Sequence, residues 1–240
     1  MILFLSDLHG WYGLVNEQIR HAEARFHEKI AAVIELGDFG LFGPALHEHF
    51  LMRNERFLRP FYFVEGNHED FTHFETLTRV YHSHLTHIPR GSVQEIGGKR
   101  VLGFGGASYM DPRITPHGSV IRDEDIDRCL ALPDTTVDII VSHDCPKGLG
   151  VPDAPRFKHF GPTGFDRGFE LADRLKPQLW VFGHHHQWFE VQRGLTRFQG
   201  LPECWHGYAV WSEKQGFVVV ENFIKRHKGF WQNLFPSLFG

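Results

Sequence analysis

Met1-Ile2-Leu3-Phe4-Leu5-Ser6-Asp7-Leu8-His9 opens the chain: a short apolar run, then an acid and an imidazole with one residue between them. An apolar run of this length, without polar alternation, reads as a strand covered on both faces. Downstream, Val15, Ile19, Ala22 and Phe26 recur at helical spacing, and Ala31-Ala32-Val33-Ile34 is apolar again. Strand, helix and strand in that order form the crossover that joins parallel strands. The unit repeats, with Leu46, Phe50 and Phe57 suggesting a second helix and Phe61-Tyr62-Phe63-Val64 a further strand.

Beyond residue 92 the texture changes. Val93–Ile96, a Gly97-Gly98 turn and Arg100–Phe104 read as a hairpin. Strands are expected at Val137–Val141, Leu179–Phe182, Phe189–Gln192, Arg197–Gln199 and Phe217–Val220, with a helix near Phe165–Leu175 stopped by Pro177. Two mixed sheets packed together and flanked by helices accommodate this order. A chain of 240 residues suits one large α/β unit, so a single domain over 1–240 is expected.

The formal charge of −4 gives no global attraction for polyanions, so any nucleic-acid contact would be local. Cys129, Cys145 and Cys204 are odd in number and widely spaced, which argues against a disulfide framework or a thiolate zinc site and fits a reducing cytoplasm. The N-terminal apolar run lacks a basic leader and reaches Asp7 at once, unlike a signal peptide. No apolar stretch approaches the roughly 20 residues of a membrane helix.

Five polar clusters follow expected strands: Asp7-Leu8-His9, Gly37-Asp38, Gly66-Asn67-His68-Glu69, Ser142-His143-Asp144 and Gly183-His184-His185-His186. Parallel strands present their carboxyl ends to one crevice, where ligands usually bind. Carboxylates, an amide carbonyl and neutral imidazoles make an oxygen and nitrogen donor set suited to manganese, iron, zinc or similar divalent ions. Alternation along an extended backbone would point Asp7 and His9 at one ion, and likewise His184 and His186. Seven donors are too many for one transition metal and natural for two, with Asp38 the best candidate to bridge them.

In order and spacing, the clusters resemble the signature D-x-H, G-D-x-x-D, G-N-H-[DE], H, G-H-x-H of the calcineurin-like metallophosphoesterase superfamily, over roughly residues 4 to 187. The resemblance implies a four-layer αββα sandwich of two mixed β-sheets flanked by helices. It implies that Asp7, His9 and His186 hold one metal, that Asn67, His143 and His184 hold the second, and that Asp38 bridges both. It also implies that His68 contacts the scissile phosphate and protonates the leaving oxygen, a task suited to an imidazole. One position departs from the signature: Leu41 stands where the family often places the carboxylate that supports this histidine. Glu69, Asp70 or Asp144 would have to substitute, or the acid role is weakened. The Leu41 variant, with Gly66–Glu69 and Ser142–Pro146, is also similar to the RNA lariat debranching branch, although Asp7 stands where those enzymes commonly carry Cys.

The segment from Lys147 to Gly168 is rich in proline and glycine and reads as a long loop, a common form of binding element. Its cations Arg156, Lys158 and Arg167 are candidate substrate contacts. Gly103-Phe104-Gly105-Gly106-Ala107 lacks the lysine and hydroxyl residue of a phosphate-binding loop and reads as a turn near the site. Cys145 reads as a small packing residue. The expected activity is metal-dependent phosphoester hydrolysis by a hydroxide held between two ions, acting as a phosphodiesterase on a small nucleotide-like substrate. Manganese or iron are the first expected metals, with zinc, nickel and magnesium behind them. A phosphomonoesterase, a nuclease on a nucleic acid, and a non-catalytic protein-binding scaffold are the competing readings.

Overall fold

The computed structural model describes residues 1–133, 137–153 and 162–226. Strands β1 (Ile2–Leu5), β2 (Ala32–Glu35), β3 (Phe61–Phe63) and β4 (Thr86–His87) lie side by side and parallel. A second sheet contains β5 (Val93–Ile96), β6 (Lys99–Phe104), β7 (Ile139–Ser142), β8 (Leu179–Phe182), β9 (Phe189–Arg193) and β10 (Thr196–Gly200), ordered β5-β6-β7-β8-β10-β9. Its four central strands are parallel and its two edges antiparallel. The chain then returns to the first sheet with β11 (Gly207–Ser212), antiparallel to β1, and β12 (Gly216–Glu221), antiparallel to β11. The helices are α1 (Gly13–Phe26), α2 (Gly43–Leu46, continued by a π-helical turn over His47–Met52), α3 (Phe74–Val80), α4 (Asp123–Leu130) and α5 (Gly168–Leu175).

Side-chain alternation sorts these strands into layers. Ile2 and Phe4 of β1 and Ile34 of β2 meet Ile139 and Val141 of β7 and Val181 of β8 between the sheets. Leu3 and Leu5 face the other way, onto Leu14, Val15 and Ile19 of α1. On the far side, Ile140, Trp180 and Phe182 pack on Ile126 of α4 and Leu171 and Leu175 of α5. Both faces of each central strand are thus buried, which explains why β1, β2, β7 and β8 contain almost no polar residue. The result is the expected four-layer αββα sandwich. Among the described residues no helix is long and apolar enough to cross a membrane.

The structure differs locally from the sequence reading, and β4, α3 and α4 were not expected from it. The second helix ends at Met52 rather than extending to Phe57, because Asn54 takes a left-handed backbone (φ 51°) and turns the chain. Phe57 still packs on the core, with its ring 4.3 Å from that of Phe61. β11 has no counterpart in the periodicity: five of its six residues are buried, so it lies covered on both faces and shows no alternation.

Candidate metal centre

Each polar cluster follows the carboxyl end of a parallel strand: Asp7 and His9 follow β1, Asp38 β2, Asn67 and His68 β3, His143 β7, and His184 and His186 β8. The two sheets carry these ends to one place. Asp7, His9 and His186 offer ligand atoms within 4.8 Å of one another, and so do Asp38, His143 and His184. The groups adjoin, since His9 Nε2 lies 4.0 Å from Asp7 Oδ1 and 3.9 Å from Asp38 Oδ2. His184 therefore sits with a different group from His186, contrary to the alternation argument. Alternation presumes an extended backbone, whereas His184 and His186 have positive φ (65° and 52°), as do Asp7 and His9 (52° and 46°), so the period-two argument applies to neither pair.

Left-handed backbone is concentrated here. Among the described residues, nine non-glycine positions have positive φ, and five of them are Asp7, His9, Asp38, His184 and His186. A residue with a Cβ loses about 1 kcal/mol or more in this conformation. Such strain persists where surrounding structure over-determines it, as functional sites do.

Hydrogen bonds set which atoms face inward. Asn67 Nδ2 donates to the Ile114 carbonyl at 2.8 Å, which turns Oδ1 toward His143 Nε2 at 3.0 Å. His143 Nδ1 lies 2.9 Å from the Leu36 carbonyl, and the neutral ring with its proton on that nitrogen presents a lone pair at Nε2. Two acceptors then face each other, with Asp38 Oδ1 3.3 Å and His184 Nδ1 3.1 Å from the same nitrogen. A cation among them satisfies all four, so these residues fit a bound divalent ion. In the other group, Ser6 Oγ and the His184 N–H donate to Asp7 Oδ2. His186 Nδ1 meets Glu203 Oε1 at 3.2 Å, and its Nε2 points at Asp7 Oδ1 at 3.1 Å. Glu203 thereby holds the ring as carboxylates hold metal-binding histidines. It lies beyond the signature motifs, and no spacing in the sequence marked it.

The charges agree with this arrangement. Burial raises the Asp7 carboxyl, but the His186, His143 and His9 imidazoles outweigh it and hold the group below the usual carboxylate range. Asp38 follows the same balance: burial opposes its charge, His143, His68 and His9 favour it, and it falls to about 2. Burial, with His143 alongside, pushes His184 down to about 3, which keeps it neutral and able to donate a lone pair. Without metal, burial opposes the charge on His186, yet Asp7 and Glu203 prevail and raise it to about 11.

His68 lines the same cavity with its side chain 42% exposed, its Nε2 4.0 Å from Asp38 Oδ2. None of the three expected substitute carboxylates touches it. Glu69 accepts the backbone N–H groups of Phe39 and Leu41, Asp70 pairs with His73 at 2.9 Å, and Asp144 pairs with His185 at 3.0 Å. Leu41 is fully buried in the helix-facing core. Arg167 stands at the N-terminal end of α5 and does not itself line the cavity; its guanidinium is bound to Glu170, Asp127 and the lining residue Asp123. Arg156 and Lys158 lie outside the described residues. Cys145 is buried beside Asp144, and burial pushes its thiol well above the usual range. The cavity measures about 620 Å³ and runs from His9, Asp38, Asn67 and His184 outward past the loop between β6 and α4.

Two facing sheets whose strand ends gather aspartates, an asparagine and histidines define an α/β-sandwich protein with a candidate dinuclear centre. The chain belongs to the calcineurin-like phosphoesterase family, whose model matches residues 1–188. This is a metal-dependent family, in accord with the two candidate ligand groups. No curated protein sequence matches the chain. Among solved structures it is similar to the phosphopantetheinyl hydrolase PptH of Mycobacterium tuberculosis, with TM-score 0.59 and 13% identity over 95% of this chain and 98% of that one. It is also similar to the sulfate thiohydrolase SoxB of Thermus thermophilus, with TM-score 0.54 and 13% identity over 92% and 56% of the respective chains. The Haemophilus influenzae NAD nucleotidase gives TM-score 0.50 and 13% identity over 92% and 48%. The chain spans about half the length of these last two. At such identities the likeness is one of fold.

Proposed function

We propose that the protein is a metal-dependent phosphoester hydrolase that prefers phosphodiesters of nucleotide-like size, with Asp7, His9 and His186 holding one divalent ion, Asn67, His143 and His184 a second, and Asp38 between them. The observation that carries this reading is the convergence on His143 Nε2 of Asn67 Oδ1 at 3.0 Å, His184 Nδ1 at 3.1 Å and Asp38 Oδ1 at 3.3 Å, beneath a cavity that Asn67, His184 and Asp38 line. When bound, divalent ions in such a set supply Lewis-acid polarisation of a phosphoryl oxygen and acidify a water. Manganese or iron suits the donors, with zinc, nickel and magnesium next.

The chain's own residues do the rest. Asp38 Oδ1 accepts the backbone N–H groups of Asn67 and His68, each at 2.8 Å, which holds both residues at the end of β3. His68, half open to the cavity, is placed to deliver a proton to the departing oxygen. With no dedicated carboxylate of its own, His68 relies on Asp38 for its charge partner, so the two roles are coupled. The cavity is larger than a phosphate needs, which favours a substrate whose phosphoryl group carries a second substituent.

A hydrolysis panel tests the reading. Purified protein loaded in turn with manganese, iron, zinc, nickel and magnesium is assayed on monoesters, cyclic nucleotides, dinucleotides and structured RNA. Metal-dependent turnover, faster on diesters than on monoesters, is the expected result. Turnover of monoesters at equal or greater rate would establish the phosphatase reading, and activity insensitive to chelators would end both.

A further inference from the structure

The cavity extends past the candidate ligands to a wall that the hydrolytic chemistry does not use. Tyr109, Met110, Ile114 and Ile121 line it, all from the loop between β6 and α4. This wall is fastened to the centre: Ile114 takes its hydrogen bond from Asn67, and the Ser108 N–H donates to Asp144 Oδ2 at 2.9 Å. Its far end is tied back as well, with the Ile121 N–H on the Ala107 carbonyl at 3.0 Å and Arg90 Nη1 on the Val120 carbonyl at 2.9 Å. Tyr109 stays 58% exposed, and among the described residues its ring stacks on nothing and its hydroxyl has no hydrogen bond. An exposed aromatic ring at the mouth of a ligand cavity is a ready platform for a flat partner.

The charges around this wall narrow the partner further. Two cations, Arg122 and Lys147, and three carboxylates, Asp123, Asp153 and Asp166, line the cavity among the described residues. Lys147 is already paired with Asp166 at 3.0 Å. Among the described residues outside the candidate metal centre, the lining therefore offers a second phosphate or other anionic group no surplus positive charge.

We infer that the Tyr109–Ile121 wall is the subsite for the second esterified group of the substrate, and that it selects an uncharged aromatic group over a small alkyl or anionic one. The inference rests on the phosphoesterase reading and goes beyond it by specifying the chemistry of that group.

Three diesters with one leaving group test it: phenyl, methyl and 4-carboxyphenyl 4-nitrophenyl phosphate, assayed on the manganese-loaded full chain by release of 4-nitrophenolate. Each rate is corrected for the ester's hydroxide-catalysed reactivity. The phenyl ester should exceed the methyl ester in kcat/KM by at least about tenfold, as partial burial of one ring warrants, and should also exceed the carboxyphenyl ester. Tyr109→Ala should reduce the phenyl-to-methyl ratio to about two or below, mainly through KM. Leu195→Ala, on the exposed turn between β9 and β10, should leave the ratio unchanged. Equal rates for phenyl and methyl esters, or a ratio preserved in Tyr109→Ala, would overturn the subsite while leaving the hydrolase standing. Absence of turnover on every ester with every metal would overturn both.

Discussion

At the residue scale, His68 and Glu35 show how one side chain's surroundings set its task. His68 donates no ligand atom to either candidate group, so His68→Ala should retain both ions by elemental analysis. It should slow hydrolysis by about 100-fold for esters with poor leaving groups and far less for 4-nitrophenyl esters, which need no proton. Loss of metal, or equal slowing of both ester types, would remove His68 from the acid role. Glu35 is a different case, buried at the end of β2 with Oε2 accepting the Gly37 N–H and Oε1 without a hydrogen-bond partner. Burial, reinforced by Glu69 and Asp7, pushes its carboxyl well above the ordinary 4.5. The folded protein thus holds a proton that the unfolded chain releases. Its contribution to stability is intact below pH 4.5 and is lost as pH rises from there toward the folded value. In metal-free protein, Glu35→Gln should then be more stable than wild type at pH 8, by about 1 kcal/mol or more, with the difference vanishing below pH 4.5. Thermal unfolding across that range decides it, and a variant less stable at pH 8 would show that the carboxyl does not carry this cost.

At the scale of elements, the loops after the strands lock into one another through glycines. A Cβ on Gly66, in the loop after β3, would collide with the backbone nitrogen and Oδ1 of Asp38 in the loop after β2. A Cβ on Gly183, after β8, would strike Ser6 Oγ and Asp7 Oδ2 after β1. Each motif glycine therefore makes room for a candidate ligand carried by another motif, a relation that links segments over 170 residues apart in the second case. Gly66→Ala should displace Asp38 and reduce both metal occupancy and turnover, the latter by at least about 100-fold. Circular dichroism would show the fold retained, since the glycine lies in a loop and not in a core strand. Full metal content with normal turnover would mean that the loop yields without moving Asp38.

At the scale of the whole molecule, the candidate centre joins the two halves of the sandwich. Asp7, His9, Asp38 and Asn67 come from the first sheet, and His143, His184 and His186 from the second. Ions held by both sets would cross-link the sheets in the folded state alone. At a metal concentration about 1,000 times Kd the added stability is about 4 kcal/mol, which for a domain of this size corresponds to roughly 10 °C in melting temperature. Chelation should lower the melting temperature by that order and manganese should restore it. An unchanged melting temperature on chelation would mean that no ion of useful affinity binds between the sheets.

The physical origin of each feature separates what was legible in the chain from what was not. Strands buried on both faces, such as β1 and β8, announce themselves as unbroken apolar runs, and the polar cluster behind each follows from the need to end the strand. Order and spacing of those clusters were enough for the family and the fold class, and they named the candidate residues that the fold gathers at the strand ends. β11 escaped because a strand among mixed apolar and glycine residues, covered on both sides, has no period to read. The left-handed backbone at Asp7, His9, Asp38, His184 and His186 is what alternation, which presumes an extended chain, does not foresee. Glu203 behind His186, Asp144 behind His185 and the tether from Asn67 to Ile114 are contacts between residues far apart in the chain. Short-range pattern therefore determined the strands and the donor types. Tertiary packing decided which candidate donors lie within reach of one another, which carboxylates meet His185 and His186, and what chemistry lines the cavity around them, because these depend on distances between segments that short-range pattern does not fix.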